Sequence, residues 1–296
     1  MLEKNKRRVH YGLGQREKYI FVLPGMIWIL FFTVFPLIYS LGISFYAGRF
    51  GKLDRFIGLQ NYVKLFQDYR FWSALRVTVI FVGVSVTVIV VLGMILALIL
   101  NRKMKSVRIF RMLFTMPLFT APIALGYLGL MIFYEEHGPI NSIVQALGFS
   151  KIPWLSNPVW AMVAVAIVNI WQWVPFAFIV LMAGLQSVPE EVYESARLDT
   201  SSALDIFRYI TLPLIAPILF TVIILCTVES FKMFDIAFSL TDGGPGIATQ
   251  TLTYYTYTTG MRNQNFGYAS ALSFILLAIV LTISTLFFRR YRDIYD

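Results

Sequence analysis

Glu190-Glu-Val-Tyr-Glu-Ser-Ala-Arg-Leu-Asp-Thr-Ser-Ser-Ala-Leu-Asp-Ile-Phe-Arg-Tyr-Ile-Thr-Leu-Pro213 is a polar block set between two long apolar stretches. The whole chain of 296 residues is 58% hydrophobic and only 14% charged, where soluble domains carry about 25% charged residues. Outward from the block, six segments reach the roughly 20 mostly apolar residues that a membrane helix needs: 20–46, 76–100, 112–134, 158–184, 213–238 and 266–288. The expectation is an all-α membrane protein of six kinked transmembrane helices, one domain over 1–296, with a cytoplasmic tail at 1–19 and a cytoplasmic two-helix loop at 187–213.

The net charge of +9 would point to nucleic acid in a soluble chain; in a membrane chain it reads as topology, because cytoplasmic loops collect Lys and Arg. Lys4, Lys6, Arg7, Arg8, Arg16 and Lys18 precede the first span. Arg102, Lys103, Lys105, Arg108 and Arg111 follow the second, and Arg289, Arg290 and Arg292 follow the sixth. Both termini are therefore expected inside, although Arg49, Lys52, Arg55, Lys64 and Arg70 in the first outer loop run against the bias. Pro24, Pro36, Pro117, Pro122 and Pro175 fall within spans; each removes a helical hydrogen bond, so kinks or breaks are expected, either lining a pathway or as ordinary bundle geometry. Leu59, Tyr62, Val63 and Phe66 recur at helical spacing, as in a short amphipathic helix or a capped turn before the second span.

Several chemistries have no residues to perform them. There is no Gly-x-x-x-x-Gly-Lys-Ser/Thr loop for ATP, and Gly243-Gly-Pro-Gly246 reads as a tight turn. His10 and His137 stand alone, so no metal site is expected, and no nucleophile sits in a catalytic context. The single Cys226 excludes an internal disulfide. An enzyme is not expected, nor a cofactor bound by this chain.

Within the block, Ser187-x-x-Glu190 has the pattern of a capping box with Pro189 in the first turn. Glu190, Glu191 and Glu194 crowd a helix start, where the macrodipole favours negative charge. A second short helix is expected from about Thr200 or Ser201 to Ile210, with Pro213 opening the fifth span. In the fourth span, Val168-Asn-Ile-Trp-Gln-Trp-Val-Pro-Phe176 sets Asn169 and Gln172 three apart, on one side of a helix, beside Trp173 and Phe176. Amides for hydroxyls and flat rings for C–H faces suit a sugar. Glu229, Lys232 and Asp235, also three apart, would share one face of the fifth span, where ionisable groups are costly and point to function. They read either as substrate-facing groups or as a self-neutralising Glu229–Lys232 pair.

Glu194-Ser-Ala196, Thr200 and Ile210-Thr-Leu-Pro213 together resemble the Glu-Ala-Ala…Gly…Ile-x-Leu-Pro loop of ABC-importer permeases. Gly58-Leu-Gln-Asn-Tyr62, Arg70-Phe-Trp-Ser-Ala-Leu-Arg76, Phe234-Asp235 and Leu240-Thr-Asp-Gly-Gly-Pro245 are similar to segments of the maltose and oligosaccharide branch. The resemblance implies a bacterial inner-membrane, multi-pass subunit. It also implies a second similar permease, two ATP-binding subunits that carry the ATP and Mg, an extracellular substrate-binding protein, a carbohydrate substrate and surrounding lipid, with no nucleic acid. Glu194, Ser195, Ala196, Asp199, Thr200, Leu212 and Pro213 would then couple to the ATPase. Asn169, Gln172, Trp173 and Phe176, with Cys226, Glu229 and Ser230 opposite, would line the substrate path. Ser195 and Thr200 depart from the family pattern. Thr200 replaces a glycine, so the turn either avoids positive φ, with Thr200 as the cap of the second helix, or carries strain; the cap is the preferred expectation. The competing expectation is an ion- or proton-coupled transporter using Glu229, Lys232 and Asp235 as a relay.

Overall fold

The computed structural model describes residues 15–49, 52–101 and 107–295. Lys4, Lys6, Arg7, Arg8, His10, Arg102, Lys103 and Lys105 lie outside the described residues. Within them, five helices are long and apolar enough to cross a membrane: Tyr19–Ser44, Tyr69–Leu100, Pro158–Ser187, Ala203–Phe231 and Phe266–Arg290. A bent pair, Ile109–Phe119 with Pro122–Ile132, turns through 101° at its break and brings the number of candidate crossings to six when its halves are taken as one span. In chain order the bent pair is the third span.

The prolines act through the backbone in different ways. Pro36 and Pro213 each follow a π-helical turn, Leu30–Val34 and Phe207–Thr211. A wider turn takes up the carbonyl that proline cannot bond and that its ring would crowd. Pro117 and Pro122 break the third span instead. A 3₁₀ turn, Met116–Phe119, leads into extended Thr120 and Ala121, the conformation that a residue before proline favours, and Pro122 opens the next helix. Pro24 and Pro175 stay inside continuous helices.

One span differs from its expected bounds. The fifth span does not run over 213–238. It begins at Ala203 and stops at Phe231, and Asp235–Thr241 is a separate short helix. The all-α class holds, with one small addition: Tyr46–Arg49 pairs antiparallel with Lys52–Phe56 in a two-stranded ribbon. The expected amphipathic segment is the helix Gln60–Gln67, but it docks through a different face from the one that carries Leu59, Val63 and Phe66. Asn61 and Leu65 are buried, while Leu59, Val63 and Phe66 are exposed. Asn61 Nδ2 donates to the Ser44 and Tyr46 carbonyls at 2.8 and 3.0 Å, tying the helix to the end of the first span and to the ribbon.

The core lies between the second and fourth spans, where Phe81, Ile89 and Ala97 meet Ala164, Ala177, Phe178 and Leu181, all buried. Lipid and protein interior are equally apolar, so close packing rather than burial from water holds these helices together. Gly93 permits that approach: a Cβ there would lie 2.6 Å from the Ala177 Cβ and 3.1 Å from the Phe178 backbone nitrogen. Gly126 does the same between the third span and Asp235–Thr241, where a Cβ would meet Ser239 Oγ at 1.8 Å. The first span, by contrast, keeps Phe21, Trp28, Phe31 and Phe35 exposed and touches the rest of the chain mainly along the sixth span.

Candidate functional site

The break in the third span builds one wall of a cleft. Thr120 leaves the helix, and its freed carbonyl accepts from Gln172 Nε2 on the fourth span at 3.4 Å. Asn169 and Gln172 are nearly fully buried, at 2% and 5% exposure, and Trp173 is half-buried one residue on. Opposite them the fifth span ends. Lys232 closes its last turn, Met233 and Phe234 carry the chain away, and Asp235 starts the next helix. Pro122, Asn169, Gln172, Trp173, Glu229, Lys232, Phe234 and Asp235 are among the residues lining the resulting cleft of about 230 Å3.

Glu229 Oε1 and Lys232 Nζ are 2.6 Å apart, and both side chains remain partly open to solvent. Asp235 is exposed and forms none of the ion pairs among the described residues. The three residues therefore do not share one face of one helix, as their spacing suggested, because the helix stops between Lys232 and Asp235; the fold brings them together at the cleft instead. Asn169 Nδ2 has no hydrogen-bond partner among the described residues. A buried, unbonded amide is costly, and here it lines a cavity that can hold an acceptor.

Not every expected wall residue reaches the cleft. Phe176 packs edge-on against Trp173 at 5.9 Å, behind the lining. Cys226 and Ser230, each 1% exposed, are buried in the body of the fifth span. Ser230 Oγ has no partner among the described residues. Lys232 and Asp235 line the cleft although the sugar-binding pattern did not include them; their charge at the end of an apolar run was the signal that marked them.

The polar block folds as one free helix and one helix start. Glu190–Asp199 is helical, but the capping box does not form. Ser187 is the last residue of the fourth span and its hydroxyl donates back to the Gly184 carbonyl at 2.7 Å, leaving Pro189 at the cap position. Thr200 has φ −149° and ψ 143°, an extended conformation open to any residue, so the position carries no strain. Thr200 is not the cap of the second helix. Its Oγ1 accepts from the Ser202 N–H at 3.1 Å, and Ser202 is the cap, accepting from the Asp205 N–H at 3.3 Å. Nor is that second helix separate, since it runs through the π turn into the fifth span. Glu194, Ser195, Asp199 and Pro213 are exposed, Thr200 and Leu212 half-buried, and Ala196 buried at 3%. Leu198 and Leu204 stand out at 88% and 72% exposure. These apolar tips on a polar loop escaped a reading centred on Glu194.

Near the cleft, Phe234 belongs to an aromatic group with Phe238, Tyr254 and Tyr257, and Arg262 lies over three of these rings at 5.9 to 6.0 Å. Arg262 also pairs with Asp242 at 2.6 Å. That charge-assisted bond, with the Tyr254 hydroxyl, holds the Asp242 carboxyl below its ordinary range despite partial burial. Among the described residues no group of His, Cys, Asp and Glu could hold a metal ion.

A bundle of apolar crossings, broken at a polar cleft and carrying an exposed polar helix on one connecting loop, defines a membrane transport subunit. The chain belongs to the family described as binding-protein-dependent transport system inner membrane components, which it matches over residues 89–293. It is 33% identical to the trehalose/maltose transport system permease protein of Thermococcus litoralis, over 92% of each chain. It is 32% identical to the lactose transport system permease protein of Rhizobium radiobacter, over 93% of this chain and 94% of that one. A permease of a bacterial ABC transporter crystallised with an alginate-bound periplasmic protein has the same fold, with a TM-score of 0.83 at 23% identity over 94% of each chain. The chain is thus the membrane-embedded permease component of an ABC transport system, and not its ATP-hydrolysing part.

Proposed function

We propose that the chain passes a sugar or oligosaccharide across the membrane, delivered by an extracellular binding protein and driven by ATP hydrolysis, with its Mg, in separate subunits. The observation that carries this reading is the cleft. It offers the unbonded amide of Asn169, the Gln172 amide, the Trp173 ring and the Phe234 ring within one small cavity between spans. Amide donors match sugar hydroxyls, and aromatic faces match the apolar faces of pyranose rings. Relatives whose names specify trehalose/maltose, lactose and arabinooligosaccharides support the same substrate class. The ion-coupled alternative has no such support.

Coupling is assigned to the helix Glu190–Asp199 and the start of the fifth span, with Glu194 making the charged contact and Leu198 and Leu204 the apolar ones. The loop, and with it both termini, then faces the cytoplasm, and a second, similar permease completes the pathway. The test is ATP hydrolysis and sugar uptake by the reconstituted transporter carrying Glu194→Ala. Binding-protein-stimulated hydrolysis and uptake are expected to fall together by about tenfold, the order of a lost charge-assisted contact, with the complex still assembled. Unchanged rates would remove the coupling role.

A further inference from the structure

The charges in the cleft do not cancel. Lys232 is matched by Glu229 at 2.6 Å, so its charge is answered within its own helix end. Asp235, presented from the first residue of the next helix, is left over. One cation and two carboxylates leave a net charge of −1 in a cavity otherwise lined by amides, rings and apolar groups. Charges near the apolar part of a membrane bundle act through a lower effective dielectric than in water, so a ligand's own charge matters there. The unpartnered Asn169 amide, 2% exposed, marks the same cavity as a ligand site independently of these charges.

We propose that the cleft is charge-selective: it accepts neutral glycans and glycans bearing a protonated amine, and excludes uronate-bearing ones, with Asp235 as the residue that sets the preference. The inference rests on the sugar-permease reading and specifies its substrate class. A uronate carboxylate entering beside Trp173 meets Asp235 as a like charge, which disfavours the wrong ligand more than it strengthens the right one. Rupture of the Glu229–Lys232 pair could offer Lys232 to an anion, but that would leave Glu229 as a second unpaired carboxylate in the same space. A glucosamine ammonium finds Asp235 already free. A neutral glycan loses nothing, because its hydroxyls are served by Asn169 and Gln172.

The experiment is equilibrium binding of labelled glucotriose, triglucosamine and trigalacturonate to the assembled transporter in nanodiscs, without the binding protein, so that only the permease selects. The wild type is expected to bind trigalacturonate at least about tenfold more weakly than glucotriose. Asp235→Asn is expected to reduce that ratio by about tenfold, or about 1.4 kcal/mol, and Asp235→Glu to preserve it. Asp235→Asn is nearly isosteric at an exposed position, so it leaves the fold intact. Equal binding of the neutral and acidic trisaccharides by the wild type, or a ratio unmoved by Asp235→Asn, overturns the charge filter alone. Failure of all three to bind overturns the glycan reading beneath it.

Discussion

Asp68 shows how much one carboxylate can organise. It caps the second span by accepting from the Arg70 N–H at 2.9 Å. Its other oxygen accepts from the Tyr255 hydroxyl at 2.5 Å and the Tyr268 hydroxyl at 2.7 Å. Partial burial opposes ionisation, but these hydrogen bonds and the nearby Arg70 charge outweigh it and hold the carboxyl below its ordinary value of 3.8. A depressed folded pKa means the stabilisation is complete above the unfolded value and is lost as pH falls through the folded one. Asp68→Asn should therefore lower stability by about 1 kcal/mol at neutral pH, with the deficit shrinking below about pH 4, near that unfolded value. Thermal unfolding of the purified transporter at both pH values tests this, and a deficit independent of pH contradicts it. Nothing in the sequence around Asp68 marks this role, because its tyrosines lie 187 and 200 residues away. Asn169, Gln172 and Trp173 were legible because one helical turn gathers them.

At the scale of elements, apolar runs of membrane length are visible in any sequence, and the prolines at 117 and 122 announced the broken third span. The end of the fifth span gave no such sign. Phe231-Lys-Met-Phe234 contains neither glycine nor proline, so the apolar pattern read straight on to residue 238. At the stop, distant partners take the carbonyls: the Thr253 hydroxyl donates to Phe231 O at 3.0 Å, and the Thr251 hydroxyl to Met233 O, two residues past the helix, at 2.9 Å. Fully buried Thr251 also caps the helix Leu252–Tyr257, accepting from the Tyr254 N–H at 3.2 Å. Thr251→Val keeps the shape and deletes both bonds. It should cost about 1–3 kcal/mol and weaken glycan binding, since the stop it enforces places Lys232 and Asp235 in the cleft. A melting temperature and glycan affinity equal to wild type would show that the stop does not depend on this hydroxyl.

The whole molecule has two unlike ends, which turns the proposed orientation into a labelling experiment. One end carries the ribbon, the helix Gln60–Gln67 and the segment 133–157, which Glu135 folds back by accepting from the Leu155 and Ser156 N–H groups at 2.7 and 2.6 Å. The other end carries Asn101 and the helix Glu190–Asp199, because the second and fourth spans both finish there. The only cysteine, Cys226, is 1% exposed, so a membrane-impermeant maleimide should leave the wild type unlabelled in intact cells. Glu136→Cys removes only a surface ion pair with Lys151, worth little to stability, and should be labelled from outside. Asn101→Cys, exposed at the opposite end and apart from the coupling helix, should react only once the membrane is permeabilised. The reverse pattern would put Glu194 on the outer face, away from any source of ATP. The coupling role of the polar block would then fall, while the cleft, built between the spans, would keep its chemistry.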